Sequence, residues 1–413
     1  MITVKPFCAL RPAVQYAKDC AALPYDVMSS AEAREMVKGN PYSFLHIDRA
    51  EIDLDPSIDI YDARVYAKAA DTLQKMEKQG VYVQDEKRKF YFYRQIMDGR
   101  GQTGIVGCAS IDDYLENRIK KHEKTRADKE ADRIRHVSTC SAQTGPIFLA
   151  YKESGALDEI ICKQTSKQPL YDFVSEDGIQ HTVWASDSVE TDQAIETAFA
   201  SLDALYIADG HHRAASAVKV GMQRREEAGR YEGTEEFNYF LSVIFPADSL
   251  KIFDYNRLVK DLNGHTVDEF LQKVASELGS VEVYQGEGVC RPAAPHTMGM
   301  YVGGRWYLVK FHDRVLQGKT PTERLDCAIL QQYLLAPVLG IEDPRTDKCI
   351  DFVGGIRGLE YLEKNCAQNG VAMAMYPTSM EELMSVADAG EQMPPKSTWF
   401  EPKLRSGILI HKI

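Results

Sequence analysis

The sequence predicts an α+β protein, and three kinds of signal predict it. Short apolar runs bounded by turn residues, at 147–151 and 204–208, read as buried strands. Helical spacing follows each of them or precedes it: Ala127, Ala131, Ile134 and Val137 form one apolar stripe, and Ala214, Ala215, Val218 and Met222 form another. Capping-box sequences at Thr125-Arg126-Ala127-Asp128 and Ser379-Met380-Glu381-Glu382 mark two helix starts, because a hydroxyl there satisfies early helical N–H groups.

Along the chain, the first hundred or so residues read as mixed helix and strand. They end in a hairpin: the aromatic run Phe90-Tyr91-Phe92-Tyr93, a turn at Asp98-Gly99-Arg100-Gly101, and a strand over 103–111. Charges of both signs crowd 116–135, the pattern of a mostly solvated helix, and Thr125 as its cap leaves His122 and Glu123 at the end of an extended segment just before it. That helix must stop by Gly145-Pro146. The polar stretch 152–201 is long enough to be an insertion with structure of its own, or a lid. The 204–208 strand then runs through Asp209-Gly210 into a helix over 211–228. Strands are expected at 237–245, 250–255 and 371–376, helices at 267–278, 325–335 and 357–366, and a hairpin around Gly303-Gly304.

Composition narrows the function classes. Across 413 residues, 49 Lys and Arg face 61 Asp and Glu, a net charge of -12 that repels polyanions, so nucleic acid is not an expected partner. The nine cysteines include no C-x-x-C pair, which argues against a zinc knuckle or a disulfide framework and for reduced thiols in a cytoplasmic setting. The opening Met-Ile-Thr-Val-Lys-Pro-Phe lacks a basic segment followed by an apolar one, and no apolar stretch is long enough to span a bilayer, so no membrane partner is expected either.

The sharpest chemical signal is Asp209-Gly210-His211-His212-Arg213. Glycine permits a tight turn at a strand end, and the helix after it offers unpaired N–H groups and a partial positive charge, which suits phosphate. His211, His212 and Arg213 add donors, and Asp209 reads as a magnesium ligand or a base, since a bare carboxylate is a poor neighbour for phosphate. The bland reading is that Asp209 caps the helix while the histidines satisfy carbonyls. For Glu123 it is a solvated place in a charge run. A second polar group lies at 394–405, where two prolines precede Lys396, Ser397 and Thr398, with Lys403 and Arg405 beyond; it could cap a phosphate or carboxylate site, or simply pack Trp399 and Phe400.

The order His122-Glu123, helix, strand, insertion, Asp-Gly-His-His-Arg and helix resembles the ParB/sulfiredoxin nucleotide-binding fold, above all its free serine kinase branch. Those kinases carry a Pro-His-Glu segment; Lys121 stands here in place of the proline. The chain also resembles the bacterial domain-of-unknown-function 1015 family, from Lys5-Pro6-Phe7 and Pro24-Tyr25-Asp26-Val27 through Asn40-Pro41-Tyr42-Ser43-Phe44-Leu45-His46 to Pro394-Pro395-Lys396-Ser397-Thr398-Trp399-Phe400.

The resemblance implies an N-terminal α/β portion at 1–111, a ParB/sulfiredoxin-like core at 112–260 with its insertion near 152–201, and a C-terminal α/β portion at 261–413. It further implies a phosphotransferase acting on serine or phosphoserine with a nucleotide such as ATP or ADP and Mg²⁺. Glu123 would be the base and Asp209 a second base or the metal ligand, with Gly210, His211, His212 and Arg213 on the phosphates. Apart from the resemblance, the residue pattern at 394–405 makes Lys396, Ser397, Thr398, Lys403 and Arg405 candidates to contact substrate, with His122 beside Glu123. Sulfiredoxins place a cysteine where His211 stands, so sulfinic acid repair is not expected. A phosphoserine phosphatase needs similar phosphate contacts and is the alternative enzyme. A nucleotide-binding regulatory or ParB-like DNA-associated protein is the alternative from another class, although neither a helix-turn-helix nor a basic surface supports it.

Overall fold

Tyr91–Met97 and Arg100–Ser110 fold back on each other through Asp98 and Gly99, both at positive φ (51° and 77°), the backbone a two-residue hairpin turn requires. The computed structural model, which describes every residue except 318 and 319, builds a nine-stranded sheet around this hairpin. The order is Ile119–Lys120, Leu205–Asp209, Ile147–Tyr151, Tyr239–Pro246, Arg100–Ser110, Tyr91–Met97, Gln180–Ala185, Tyr171–Val174, with Val4–Lys5 also on Arg100–Ser110. Leu205–Asp209 runs parallel to Ile119–Lys120, and Tyr239–Pro246 parallel to Ile147–Tyr151; the other pairings are antiparallel.

The chain divides into two units, Met1–Leu250 with Pro402–Ile413, and Lys251–Glu401, each with a mixed α/β architecture. In the first unit, the strands from 1–111 sit between strands from 112–250 in one sheet and share with them one apolar core that includes Phe90, Phe92, Ile105, Leu149, Ile207 and Phe240. The units divide at 250/251 and again at 401/402, beside boundaries expected at 111/112 and 260/261. The 152–201 stretch has structure of its own: helices Gly155–Thr165 and Val189–Ala200 flank the two strands that extend the sheet edge.

The helix expected after Glu123 is Ala127–Cys140, with Arg126 rather than Thr125 at its N-cap. The Thr125 hydroxyl donates to the Glu130 carboxylate, five residues on, and no side chain caps the helix start. Helix His211–Ala228 packs beside it, joined by Ser216 Oγ, which donates to the Glu130 carbonyl at 3.2 Å. The returning tail is bound along its length. Ser406 exchanges backbone bonds with Ala22 (2.9 and 3.1 Å), Ile410 does so with Leu10 (2.9 and 3.0 Å), and His411–Lys412 pairs with Ala142–Gln143.

The second unit is built on an antiparallel six-stranded sheet, ordered Gly279–Val283, Arg305–Phe311, Thr297–Val302, Val371–Met375, Tyr255–Val259, Ile350–Gly354. Helix Met380–Asp388 starts with the Ser379/Glu382 capping box its sequence predicts. The strand expected at 250–255 is split into Ile252–Phe253, which pairs with Trp399–Phe400, and Tyr255–Val259 in the sheet. Among the described residues no helix is long and apolar enough to cross a membrane.

Candidate functional site

Leu205 and Ile207 point into the core from one face of their strand, and the alternation breaks just before the turn. Ile207 pairs with Leu149 but Asp209 with Phe148, so Ala208 is an extra residue; the bulge turns the Asp209 side chain out of the pleat. Gly210 then takes φ 91° and ψ 32°, and a Cβ there would lie 3.1–3.2 Å from the Arg213 guanidinium. Only glycine gives both the backbone and the space. The Gly210 carbonyl accepts from the Ala214 N–H at 2.9 Å, so the amides of His211, His212 and Arg213 precede the helical ladder.

The Asp209 carboxylate is clasped from several sides. Oδ1 accepts the Gly210 N–H at 2.9 Å, and Oδ2 lies 3.3 Å from Lys403 Nζ and 3.9 Å from Arg213 Nη2. Burial works against its ionisation, but Lys403, Arg213 and the amide outweigh burial and hold its pKa below the ordinary carboxylate range. Arg213 Nη1 donates to the Pro146 carbonyl at 2.5 Å, while its Nε has no partner among the described residues. Lys403 is held by its backbone as well, its carbonyl accepting from Gln95 Nε2 at 2.9 Å.

His211 joins this turn to the segment before the first helix. Its Nε2 faces the His122 N–H at 3.5 Å, which assigns the ring proton to Nδ1, and Nδ1 lies 3.5 Å from Glu123 Oε2. The His122 and His211 rings meet edge to face, centroids 4.4 Å apart. Burial lowers the pKa of His122 to about 4 and that of His211 well below its usual value, so both are neutral at pH 7. His122 is only 2% exposed, and among the described residues the Ile207 backbone is the one hydrogen-bonding influence on its ring, working against burial. His212 Nε2 accepts the Arg126 N–H at 2.9 Å and pins the loop to the helix. The Glu123 side chain is 47% exposed at the edge of this buried pair.

The remaining expected residues separate. Lys403 stands at Asp209, but Arg405, two residues on, forms an ion pair with Asp177 and reaches Ser175 Oγ at 3.4 Å, so it anchors the tail to the hairpin of Tyr171–Val174 and Gln180–Ala185. His181 supports that anchor, with Nδ1 2.7 Å from the Tyr93 hydroxyl and Nε2 2.9 Å from Ser175 Oγ. Lys396, Ser397 and Thr398 belong to the second unit. There Ser397 Oγ donates to the Pro394 carbonyl at 2.5 Å, the Lys396 carbonyl accepts from Arg257 at 3.3 Å, and Thr398 is half-buried ahead of the Trp399–Phe400 strand.

Sequence reasoning missed a polar group behind Arg213. Asp48, Arg133, His136 and Thr144 line a cavity of about 30 Å³ that Arg213 also borders, with Thr144 Oγ1 donating to Asp48 at 2.7 Å. The available signal was Arg133 and His136, one turn apart on a helix read as solvated. Among the described residues no three His, Cys, Asp or Glu side chains gather to hold a metal ion.

The buried neutral histidines make a pH prediction. His122 is neutral in the folded chain down to pH about 4 but takes a proton near 6.5 when unfolded, so its stabilisation is complete above 6.5 and is lost as pH falls toward 4. The ceiling is about 3 kcal/mol at ~1.4 kcal/mol per pH unit. His46 and His296, raised by their bonds to Asp53 and Asp326, act in the opposite sense, so the comparison must be differential. Urea unfolding at pH 7.5 and pH 5 should give a smaller loss in His122→Gln than in the native chain; equal losses contradict the assignment.

Solved structures similar to this chain include SbnI with a C-terminal truncation from Staphylococcus aureus, at 12% identity and TM-score 0.39, over 73% of this chain and 85% of that one. A free serine kinase mutant in complex with ADP matches at 14% identity and TM-score 0.34, over 70% and 85%. A conserved hypothetical protein from Pyrococcus furiosus matches at 15% and 0.34, over 73% and 92%. No curated protein matches the sequence. One family model takes in residues 4–328, with Glu123 and the whole Asp209–Arg213 turn inside that span, and the chain therefore belongs to the family described as protein of unknown function (DUF1015).

Proposed function

We propose that this protein is a small-molecule phosphotransferase on a ParB/sulfiredoxin-like core, using a nucleotide and Mg²⁺ to phosphorylate free serine. The observation that carries the reading is the turn itself: three amides ahead of a helical ladder, Arg213 and Lys403 on one carboxylate, and His211 linking the turn to Glu123. The amides and the two cations suit the oxygens of a transferring phosphoryl group, whose charge is stabilised chiefly by such preorganised donors. Glu123 would take the proton from an acceptor hydroxyl, with neutral His211 Nδ1 3.5 Å from its carboxylate and adding no charge.

Asp209 is a single carboxylate, which fits Mg²⁺ in the manner common for nucleotide enzymes, where one or two carboxylates, phosphate oxygens and water complete the shell. Arriving phosphates would draw Lys403 and Arg213 and free that carboxylate. Arg213→Ala should weaken ADP binding about tenfold or more, since a charged hydrogen bond contributes roughly 1.5–3 kcal/mol. Unchanged affinity in calorimetry would give Arg213 a purely structural role.

The test of the reaction is phosphorus NMR of the purified chain with serine, Mg²⁺ and ATP or ADP. The proposal expects a phosphoserine resonance to grow as the terminal donor phosphate declines. Release of inorganic phosphate from phosphoserine alone would favour the phosphatase, and an unchanged spectrum with every donor would favour a nucleotide-binding regulator.

A further inference from the structure

The second unit has a cavity of its own, about 260 Å³, lined at the corner where Ile252–Phe253 gives way to Tyr255–Val259. At that corner stands Asp254, its side chain only 9% exposed, among walls that include Ile252, Phe253, Pro292, Met375 and Pro377. A carboxylate so buried is costly unless its oxygens are bonded. Oδ2 accepts from Asn256 Nδ2 at 2.5 Å, and the Asn256 amide is fixed in that sense because its own oxygen accepts the Met375 N–H at 2.9 Å. Oδ1 receives no hydrogen bond among the described residues; Arg291 Nη1 lies 3.6 Å away, beyond donor distance. Gly355 forms the wall beside it, donating its N–H to the Asp254 carbonyl at 2.7 Å, and a Cβ there would fall 2.2 Å from Oδ1. Only glycine leaves the carboxylate where it is.

Three charged side chains line the cavity, and together they do not suit a ligand of one sign. Asp254 is buried, whereas Arg291 is 59% exposed and Lys251, over the Phe253 ring at 5.0 Å, is exposed as well. A simple cation reaching Oδ1 would meet the repulsion of Arg291 and Lys251. A simple anion on those two bases would face Asp254. A zwitterion satisfies all three, its ammonium donating to the open oxygen and its carboxylate taking the guanidinium fork. In an α-amino acid the two groups hang on one carbon, which matches the neighbouring positions of Oδ1 and Arg291. The rest of the lining is chiefly apolar, so the side chain that fits beside them is neutral and apolar.

We infer that this cavity binds an α-amino acid with a neutral apolar side chain, its ammonium on Asp254 and its carboxylate on Arg291. Every residue of the site belongs to the second unit, and such an amino acid has no hydroxyl to phosphorylate, so the inference is independent of the phosphotransferase reading.

Calorimetry on the full chain tests it with L-valine, L-leucine, L-methionine and L-phenylalanine, each beside the amine and the carboxylic acid that carry the same side chain. The variants are Arg291→Gln, at an exposed side chain, Asp254→Asn, and Glu123→Gln as a control; thermal melting checks their fold. Expected is one-to-one binding of at least one of the four amino acids, with its amine and acid at least tenfold weaker. Arg291→Gln and Asp254→Asn should each lose tenfold or more, and Glu123→Gln should stay within twofold of the native chain. Binding of none of the four overturns the inference, as does an amine or acid that binds as tightly as its amino acid. Native affinity in Arg291→Gln overturns it too, whether or not Asp254→Asn folds. An equal loss in Glu123→Gln would put the amino acid beside His211 instead and overturn the assignment to this cavity.

Discussion

Glu123→Gln should lower serine phosphorylation by about 100-fold or more while leaving ADP affinity within about twofold, the signature of a lost general base. Glutamine keeps the shape and the contact with His211 but cannot accept a proton. The side chain is half-exposed, where such a change costs only about a few tenths of a kcal/mol in stability, so rate and fold separate cleanly. Asp209 cannot easily take over, because Lys403, Arg213 and the Gly210 amide hold its pKa down against the effect of burial, and a base so stabilised accepts a proton poorly. Initial rates at saturating nucleotide and Mg²⁺ check the prediction. Equal rates in the two proteins would remove Glu123 from the reaction.

Lys403→Ala should weaken ADP binding by roughly tenfold to 100-fold, given about 1.5–3 kcal/mol for a charged hydrogen bond. The tail that carries Lys403 stays in place without it, through the Ser406–Ala22 and Ile410–Leu10 backbone pairs and the Arg405–Asp177 ion pair. Removing the cation also lets the Asp209 pKa rise, since Lys403 is the strongest influence lowering it. Calorimetry at two salt concentrations checks both the loss and its charge origin: the native chain should lose more affinity to salt than the variant. An ADP affinity that does not change would make the Lys403–Asp209 pair a structural tie.

The turn was legible because its determinants are local. A strand ending in Asp209, a glycine and a helix of alanine and valine spacing lie within twenty-odd residues, and the helix His211–Ala228 has the bounds its sequence predicts. The join between Glu123 and His211 crosses the whole 152–201 stretch, and residue patterns alone carry no trace of it; family resemblance supplied that expectation. Thr125 misled because its hydroxyl donates to Glu130 and the Asp128 carboxylate is taken by the Arg126 guanidinium, so the reciprocal bonds of a capping box do not form and Arg126 stands at the N-cap.

The strands within 152–201 could be expected to have structure but not to join the hairpin Tyr91–Met97 at the sheet edge, since antiparallel pairing over ninety residues depends on register rather than composition. The 394–405 segment looked like one loop with one purpose. In the fold the chain passes from one unit to the other between Glu401 and Pro402, which leaves Lys396, Ser397 and Thr398 with Pro394 and Arg257, and Lys403 with Asp209. Lys403 was already a candidate in the sequence; its partner Asp209, 194 residues upstream, is set by the fold.

Phosphate held at the start of helix His211–Ala228 is tested most directly by the position of the phosphates in a crystal structure with ADP and Mg²⁺. The expected result is phosphate oxygens within hydrogen-bond distance of the His211 and His212 amides and of Arg213, with Lys403 turned from Asp209 toward them. ADP bound elsewhere, with Lys403 still on Asp209 and the turn unvisited, would contradict it.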